Sequence, residues 1–410
     1  MIKQRVLAIF ILFKILYLDK LFSFSTKLFF KQKAGENILI VCGGGIGDII
    51  TDTAVLKHYR NYFRNKKIYL LTNLQNNAKA ILKNYFSDEI IEVDFYKFKR
   101  SYIYALKVYK KLKDIGFETI IYNITINIIN LSPLYYLLDA REKIAYEGEL
   151  WYRNIKKDED YIIWFSNKYI FPKIKKEFTK IIESYSQEKE NGVLVNVIKH
   201  KVKIFEDFTG QKIYDYSTFV PKSDLNYVSK DILKISRNKY FIIVPGAGAY
   251  YRRWPFERFI KVTKEILKID KNLLPIFIGS PAEKNIIKDL DKTLPQALNL
   301  VGKLNFEELK FLIENCQFLI GNEQGLIHLA IALKKPTICI IGGGHLGRYS
   351  HYGDSNINKW VYDENAKCKF DNWRCALKEN TICAPCIFSI TEEMVMREVN
   401  NLLKFINEGL

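Results

Sequence analysis

The chain has 410 residues, of which 48% are hydrophobic and 26% charged, so it is long enough for two or three well-cored globular domains. Its seven cysteines are an odd number and several lie in apolar stretches, which argues against a secreted disulfide framework and favours a reducing cytoplasm. A formal net charge of +18 predicts attraction to nucleic acid, anionic lipid headgroups or phosphorylated sugars, or else a basic surface without a dedicated partner.

Residues 1–34 form a segment of their own, rich in Phe, Leu and Lys. Their longest apolar run covers residues 6–13, well short of the ~20 residues that a membrane-spanning helix needs. No small-x-small cleavage site follows, which disfavours a signal peptide. We predict an amphipathic helix that lies on a membrane surface, and the alternative is a helix docked on the protein's own core.

From residue 37 onward, strand-like and helix-like segments alternate, which predicts a parallel α/β architecture. In the first series we predict helices after residue 47 and over 78–82 and 102–113, and strands over 37–41, 68–71, 89–93 and 119–122. In the second series we predict helices over 256–268, 306–315 and 326–333, and strands over 240–244, 274–278, 318–320 and 337–341. A last helix is predicted over 391–405.

The two series predict two Rossmann-like, doubly wound domains at residues 35–225 and 226–390. Such domains would leave a central cleft where the carboxyl ends of both sheets face each other. Residues 184–231 are polar and rich in Lys, Asp and Glu, so we predict a linker there with the domain boundary in its second half. A separate C-terminal helical segment covers residues 391–410.

The first strand leads into residues 43–48, which read GGGIGD. Their spacing fits neither a dinucleotide-binding fingerprint nor a Walker loop, since Asp48 stands where a third glycine is needed and no Gly-Lys-Ser/Thr follows. A glycine turn lets another molecule approach the backbone closely. Asp48 at the start of the next helix is therefore a candidate proton acceptor, and the alternative is that it only caps the helix.

A second candidate segment, residues 244–259, reads VPGAGAYYRRWPFERF. Glycines form a flexible loop after a strand, Arg252 and Arg253 add positive charge, and Pro255 is suited to the first turn of a helix. Backbone N–H groups with two guanidinium groups suit a diphosphate. The alternative is a basic loop around a structural tryptophan.

A third candidate segment, residues 321–336, reads GNEQGLIHLAIALKKP and again follows a strand. Gly325 opens a helix, with Gln324 just before it and His328 on its first turn. This arrangement would present donors to a phosphate, although His328 could equally be a supporting residue with all its hydrogen bonds satisfied.

Taken together, these segments resemble glycosyltransferase family 9, the bacterial heptosyltransferases of lipopolysaccharide core assembly, over most of residues 36–400. The resemblance rests on the order and spacing of five segments. They are the Gly-Asp that ends the first loop at 47–48, the Pro-Gly-Ala and Arg-Arg-Trp-Pro at 245–247 and 252–255, the Gly-Ser-Pro-Ala-Glu turn at 279–283, the Val-Gly-Lys at 301–303, and a counterpart of Asp-Ser/Thr-Gly-x-x-His at 323–328.

The resemblance implies the GT-B architecture and an inverting displacement that needs no metal and no other cofactor. It implies that Asp48 is the general base and that the acceptor-side loop contains Gly44, Gly45 and Gly47. Donor binding is implied for Gly246, Ala247, Arg252, Glu323, Gln324, Gly325 and His328. It also implies that the C-terminal helix crosses back to the first domain.

This chain departs from the family pattern at two places. Glu323 and Gln324 stand where the family has Asp and a hydroxyl residue, which changes reach and donor geometry beside the donor sugar. Arg252 stands where Lys is common, which keeps the charge and adds a bidentate fork.

The resulting hypothesis is a glycosyltransferase on the cytoplasmic face of the inner membrane. Its implied partners are a nucleoside-diphosphate sugar donor, with ADP-heptose favoured, and an anionic glycolipid acceptor of the lipopolysaccharide core or a related lipid-linked glycan. The alternatives are a GT-B nucleotide-sugar epimerase and a non-catalytic saccharide or nucleotide binder. No recognised nucleic-acid-binding module is present, so we predict no nucleic-acid partner.

A cysteine cluster lies late in the chain, at residues 368, 375, 383 and 386. Its Cys-x-x-Cys permits a structural zinc site. The family resemblance instead favours packed or surface thiols, and we predict no metal.

Overall fold

The computed structural model describes residues 7, 10–11, 13–125, 132–148, 165–185, 189–190, 193–370 and 384–408. The chain divides into two compact units. The first contains Met1–Glu188 and Val197–Tyr216, and the second contains Lys189–Asn196 and Ser217–Leu410. Each unit is built around its own parallel sheet, which confirms the predicted α/β class.

The apolar runs of the first unit form a six-stranded sheet. Runs such as NILIVC and IYLLTN are almost wholly buried, as expected for strands that helices cover on both faces. The strands are β1 (Asn37–Cys42), β2 (Ile68–Asn73), β3 (Glu89–Val93), β4 (Phe117–Thr125), β5 (Glu142–Gly148) and β6 (Lys180–Tyr185).

The helices of the first unit are short to medium in length, and a π-helical turn (Lys14–Leu18) leads into the first of them. They are α1 (Asp19–Phe29), α2 (Ile46–Tyr62), α3 (Ala78–Leu82), α4 (Phe95–Arg100), α5 (Tyr102–Leu112), α6 (Ser132–Leu137), α7 (Phe171–Ile174) and α8 (Val197–Thr209). None of the helices in the described part of the chain is long and apolar enough to cross a membrane.

In the second unit, a two-stranded hairpin precedes a second six-stranded sheet. The hairpin strands are β7 (Lys189–Glu190) and β8 (Val193–Leu194). The sheet contains β9 (Tyr240–Val244), β10 (Leu274–Phe277), β11 (Leu298–Asn299), β12 (Leu319–Asn322), β13 (Thr337–Ile340) and β14 (Asn358–Val361). Its helices are α9 (Lys230–Ile235), α10 (Phe256–Ile269), α11 (Leu290–Thr293), α12 (Phe306–Asn315), α13 (Gly325–Ala332), α14 (Pro385–Phe388) and α15 (Glu392–Asn407).

Both large sheets have the same strand order. It runs β3-β2-β1-β4-β5-β6 in the first unit and β11-β10-β9-β12-β13-β14 in the second, with all pairs parallel. In each sheet the order reverses between the first and fourth strands. Ligands of doubly wound sheets bind at the carboxyl ends of the strands beside such a switch point. We therefore expect a ligand-binding site at the loops after β1, β9 and β12.

The described structure differs from the predicted domain limits. The predicted linker contains α8, whose apolar side chains Val202, Ile204 and Phe205 are buried, and α8 packs on α2 of the first unit. In the sequence, the boundary between the two units lies at 216/217 rather than at the predicted 225/226. Residues 189–196 also belong to the second unit, since Asn196 donates a side-chain hydrogen bond to the Ser350 carbonyl there.

The C-terminal helix α15 also belongs to the second unit rather than forming a separate segment. It packs on α10 and on strands β13 and β14, and buries Val395, Val399 and Leu402 in the core of that unit. Its crossing to the first domain, which the resemblance implies, stays a prediction.

Candidate active site

The loop after β1 requires glycine because the side chain of Asp48 folds back over it. Gly44 has a left-handed φ of 79°, and a Cβ on it would lie 2.2 Å from Oδ2 of Asp48. Gly44 and Gly45 are exposed, while Gly47 and Asp48 are half-buried on the first turn of α2. The four residues that we predicted for the acceptor side therefore form one exposed loop and helix end.

Asp48 caps the helix with only one of its two carboxylate oxygens. Oδ2 accepts a hydrogen bond from the Gly45 N–H at 2.9 Å. This is the backward arm of a capping box, and the positive end of the helix dipole favours a carboxylate there. Oδ1 accepts no hydrogen bond from the described residues. The capping role is thus compatible with a second role for the same carboxylate.

A buried ion pair lies directly beneath this helix end. Asp52, one turn after Asp48, is 1% exposed, and its Oδ1 lies 2.7 Å from Nζ of Lys201 on α8. The same ammonium donates to the Thr51 hydroxyl at 2.7 Å and to the Asp48 carbonyl at 2.9 Å. Asn123 on β4 donates to Asp52 at 2.7 Å. Lys201 therefore ties α8 to the first turn of α2, where Asp48 is located.

Burial dominates the electrostatics of this pair. It raises the pKa of Asp52 to about 6, against the lowering effect of the nearby Lys201 ammonium. Asp48 adds a further negative charge that also raises the pKa of Asp52. The charged form of Asp52 is thus less stable than that of an ordinary exposed aspartate.

In the second unit, three loops bring charged side chains together at the carboxyl ends of adjacent strands. Arg252 comes from the loop after β9, Glu323 directly follows β12, and His345 follows β13. Oε2 of Glu323 lies 3.0 Å from Nη1 of Arg252 and 2.7 Å from Nδ1 of His345. Its Oε1 lies 3.2 Å from Nε2 of His328 on α13. We call these four residues the Glu323 cluster.

Positive partners decide the charge state of the Glu323 cluster. Burial by itself would raise the pKa of Glu323, but His345, hydrogen bonds from both histidines and the Arg252 guanidinium outweigh it and hold that pKa well below its usual range. Burial lowers the pKa of His345. Glu323 is therefore a carboxylate at neutral pH, and Nδ1 of the neutral His345 ring donates a hydrogen bond to it.

The remaining donor-side residues surround the same loops. Gln324 precedes α13 and donates from Nε2 to the Gly246 carbonyl at 3.2 Å. A Cβ on Gly246 would lie 1.7 Å from Oε1 of Glu283, so this position needs glycine. Ala247 is buried, and Gly325 is the first residue of α13. The structure thus brings together all the residues that we predicted for the donor side, within one unit.

His328 is a buried member of this site. It is 2% exposed, one ring nitrogen contacts Glu323 and the other contacts the hydroxyl of Tyr352. Both ring nitrogens are therefore occupied. This geometry favours the supporting role that we considered for His328, in which it orients Glu323.

Sequence reasoning missed three charged or titratable residues of these sites. Lys201 and Asp52 carried no local signal, because Lys201 is one of 63 basic residues and Asp52 lies in an ordinary helical stretch. His345 follows Gly342-Gly343-Gly344, a further glycine-rich loop at the end of a strand. That position could have been found by applying the switch-point rule to every strand.

Among residues with described positions, no group of three or more His, Cys, Asp or Glu side chains is arranged to hold a metal ion. Two members of the late cysteine cluster, Cys375 and Cys383, lie outside the described residues. Cys386 is buried and Cys368 is half-buried.

Part of the chain is similar to proteins of known family. Residues 182–378 match the model for glycosyltransferase family 9 (heptosyltransferase). The chain is 30% identical over 158 residues to lipooligosaccharide heptosyltransferase 2 of Haemophilus influenzae, a match that covers 37% of this chain and 43% of that protein. The chain spans less than half the length of the first curated relatives that it matches.

Solved structures share the fold over most of the chain. A family 9 glycosyl transferase from Veillonella parvula is 15% identical, covers 91% of this chain and 99% of its own, and superposes with a TM-score of 0.69. The ADP-heptose lipopolysaccharide heptosyltransferase II of Escherichia coli is 12% identical, with the same coverage and a TM-score of 0.55. The fold is that of GT-B enzymes, with two Rossmann-like domains, and residues 182–378 are similar to glycosyltransferase family 9.

Proposed function

We propose that this protein is an inverting glycosyltransferase that transfers a sugar from a nucleoside-diphosphate donor to a lipopolysaccharide-core or related lipid-linked glycan. ADP-heptose is the favoured donor, because structures similar in fold include an ADP-heptose transferase and the matched curated relatives are heptosyltransferases. We place the enzyme in the cytoplasm, on the inner face of the membrane that carries the acceptor.

The observation that carries this proposal is the geometry of Asp48. Its Oδ2 is held by the Gly45 N–H at 2.9 Å, while Oδ1 accepts no hydrogen bond from the described residues. A carboxylate that is fixed through one oxygen and available through the other is suited to general base catalysis. The exposed glycines beside it would let an acceptor hydroxyl approach.

In the proposed reaction, the acceptor hydroxyl oxygen attacks the anomeric carbon of the donor sugar and gives its proton to Asp48. The bond between the anomeric carbon and the diphosphate oxygen breaks on the opposite face, so the configuration inverts. Negative charge grows on the leaving nucleoside diphosphate. Arg252, the loop N–H groups after β9 and the N-terminus of α13 would stabilise that charge.

The Glu323 cluster gives Arg252 a defined position for this task. Its guanidinium is 3.0 Å from Glu323, and the side chain of Arg252 remains 20% exposed. One part of the planar guanidinium can therefore donate to the Glu323 carboxylate while its other N–H groups donate to a diphosphate. We propose that Glu323 positions Arg252.

The test compares Asp48→Asn with wild type and with a matched control. Asp94→Asn is that control, because Asp94 also caps a helix, accepting from the Lys97 N–H at 3.0 Å. Binding of ADP, UDP and GDP is measured by calorimetry, and transfer is measured with ADP-heptose and a delipidated core-oligosaccharide acceptor. We expect ADP to bind all three proteins. Transfer should fall about 10²–10⁴-fold in Asp48→Asn alone, the usual contribution of a general base.

Two results would overturn the proposal. Full transfer activity in Asp48→Asn would remove this carboxylate from the chemistry. Absence of nucleotide binding even at millimolar concentration would instead favour a saccharide-binding protein.

A further inference from the structure

The N-terminal segment is docked on the first unit through both polar and apolar side chains. Asp19, Ser23 and Thr26 on α1 are buried, with 0%, 3% and 5% exposure. Ser23 donates to the Tyr136 carbonyl at 2.7 Å. Asp19 accepts from the hydroxyl of Tyr102, also at 2.7 Å. These hydrogen bonds supplement apolar contacts, since Ile15 and Leu16 of the preceding turn are buried in the same core and Phe22 packs against it.

The opposite face of this segment is apolar and exposed. Its large side chains recur at intervals of three or four residues, the spacing of one helix face, and their exposure lies between 48% and 68%. They are Leu7, Phe10, Phe13, Tyr17, Leu21, Phe24 and Leu28. We call these seven residues the outer face. The segment is thus apolar on its outward side, in addition to the side chains that it docks on the protein.

The extent of the outer face indicates a binding surface. Its four aromatic rings alone expose on the order of 400–500 Å², taking ~200 Å² for a whole aromatic side chain. That is as large as the whole largest apolar patch of a typical soluble monomer, which is itself often functional.

The charges around the outer face select the occupant. Residues 1–34 contain seven basic residues against one acidic residue, Asp19, which is buried and lies 2.8 Å from Lys14. At 100° per residue, Lys20 and Lys27 flank one edge of the face formed by Leu21, Phe24 and Leu28. Both lysines pair with carboxylates of the protein, Lys20 with Glu177 at 3.4 Å and Lys27 with Asp139 at 2.7 Å, so the unpaired positive charge must come from other residues. Lys31 and Lys33 continue the positive charge beyond the helix and are exposed.

We propose that the outer face inserts in the plane of an anionic lipid bilayer, with the aromatic rings at the boundary of headgroups and acyl chains and the lysines at the lipid phosphates. A second copy of the chain is a less favourable occupant, because a symmetric dimer would bring two sets of lysines together. The inference deepens the membrane-surface location in the proposed function and rests on it. It combines the two alternatives posed by the sequence, since the helix docks on the protein's own core and lipid contact is proposed for its other side.

The test is flotation of the full-length protein with vesicles. We expect partitioning onto phosphatidylcholine vesicles that contain phosphatidylglycerol to exceed partitioning onto pure phosphatidylcholine about tenfold, and to fall as salt is raised. The double variant Leu21→Ser/Phe24→Ser should lose about tenfold or more of this partitioning. The matched control is Leu225→Ser/Tyr227→Ser, which removes two side chains of similar exposure, 58% and 67%, from the second unit. It should partition like wild type.

A gain-of-signal variant covers the case in which the double variant folds poorly. Phe24→Trp adds an indole to the outer face, and its fluorescence should shift to the blue and be quenched by brominated lipids only with anionic vesicles. An indole that stays solvent-exposed in the presence of those vesicles would overturn the inference.

The outcomes also separate this inference from the proposed function. Transfer to a delipidated acceptor should be unchanged in Leu21→Ser/Phe24→Ser, since these residues touch neither candidate loop. Wild-type protein that does not float with anionic vesicles overturns the inference whatever its activity. Concentration-dependent dimers of wild type that the double variant abolishes, without vesicle binding, would overturn it in favour of self-association. Absence of any transfer activity in wild type would contradict the proposed transferase function. Membrane binding measured by flotation would be unaffected by that result.

Discussion

The two units each bury a carboxylate beside the switch point of their sheet, yet the two carboxyl groups respond to burial in opposite ways. Asp52 has one ammonium and one amide as donors, and burial raises its pKa to about 6. Glu323 has a guanidinium and two imidazoles, and its pKa is held well below the usual range although it is equally enclosed. The number of positive and donating partners, rather than depth alone, decides whether a buried carboxyl stays charged.

The largest effect is expected from breaking the Asp52 pair. Lys201→Met should lower the free energy of unfolding by about 3–5 kcal/mol, because it leaves a buried carboxylate without its cation. Urea unfolding at pH 7.5 measures this loss. The double variant Lys201→Met/Asp52→Leu should recover much of it, since apolar residues of similar volume replace ion pairs at little cost. A double variant as unstable as the single one would show that the pair itself is strongly stabilising.

The second prediction concerns pH. Folded Asp52 holds its proton up to about pH 6, whereas the unfolded chain releases it near 3.8, so its contribution to stability is present below pH 3.8 and is lost as pH rises through 6. Between pH 4 and 7, wild type should lose on the order of 3 kcal/mol relative to Asp52→Asn. Unfolding free energies of both proteins across this range measure the slope. Parallel pH profiles would place the pKa of folded Asp52 near its ordinary value.

The third prediction sharpens the contrast at Glu323. Glu323→Gln should cost about 1.5–3 kcal/mol, the range for hydrogen bonds to a charged group, since Arg252 is partly exposed and water can solvate it. The sign of the pH effect is opposite to that of Asp52. The stabilisation by Glu323 is present above its unfolded pKa of 4.5 and is lost as pH falls towards its depressed folded pKa. Thermal unfolding between pH 3 and 7 checks both statements. The family resemblance implies Asp at this position. Thermal unfolding of Glu323→Asp therefore tests whether the shorter side chain still stabilises the fold.

The smallest expected effect on stability is at Gly44. Gly44→Ala and Gly210→Ala place a side chain at similar left-handed φ angles, 79° and 73°, and each should cost about 1–2 kcal/mol. Only Gly44→Ala also places Cβ within 2.2 Å of Asp48, whereas nothing lies within 4 Å of a Cβ at Gly210. Transfer activity should therefore fall sharply in Gly44→Ala and persist in Gly210→Ala. Equal activity in the two variants would show that the Asp48 side chain moves aside freely.

The sequence predicted the central strands well and the edges of the sheets poorly. Strand 240–244 at the centre of its sheet has the predicted limits, because a continuous apolar run identifies a strand buried on both faces. Strand 89–93 is an exception among the edge strands, since it also has the predicted limits. Strands β5 and β6 were missed, since EKIAYEG and KIIESY mix charged and apolar residues. Helix α8 was predicted as linker because its five charged residues obscured its apolar spacing.

The residues of the candidate site also divide into those that the sequence predicted and those that it did not. Arg252, Glu323 and Gln324 were predicted because each follows a strand in a short motif, and they do meet in the structure. Lys201 could not be predicted, because its role depends on how α8 packs against α2. A residue whose function depends on a tertiary contact leaves little trace in its own sequence neighbourhood.

The exposed outer face of the N-terminal segment also bears on kinetics. An enzyme held at a bilayer through the outer face would meet a lipid-linked acceptor by diffusion in two dimensions, so its rate would depend on the acceptor's mole fraction in the surface rather than on its bulk concentration. Diluting the acceptor with inert lipid should then slow transfer at constant total acceptor. A delipidated acceptor would escape this surface dilution, and the ratio of the two rates would report how much of the turnover depends on the helix.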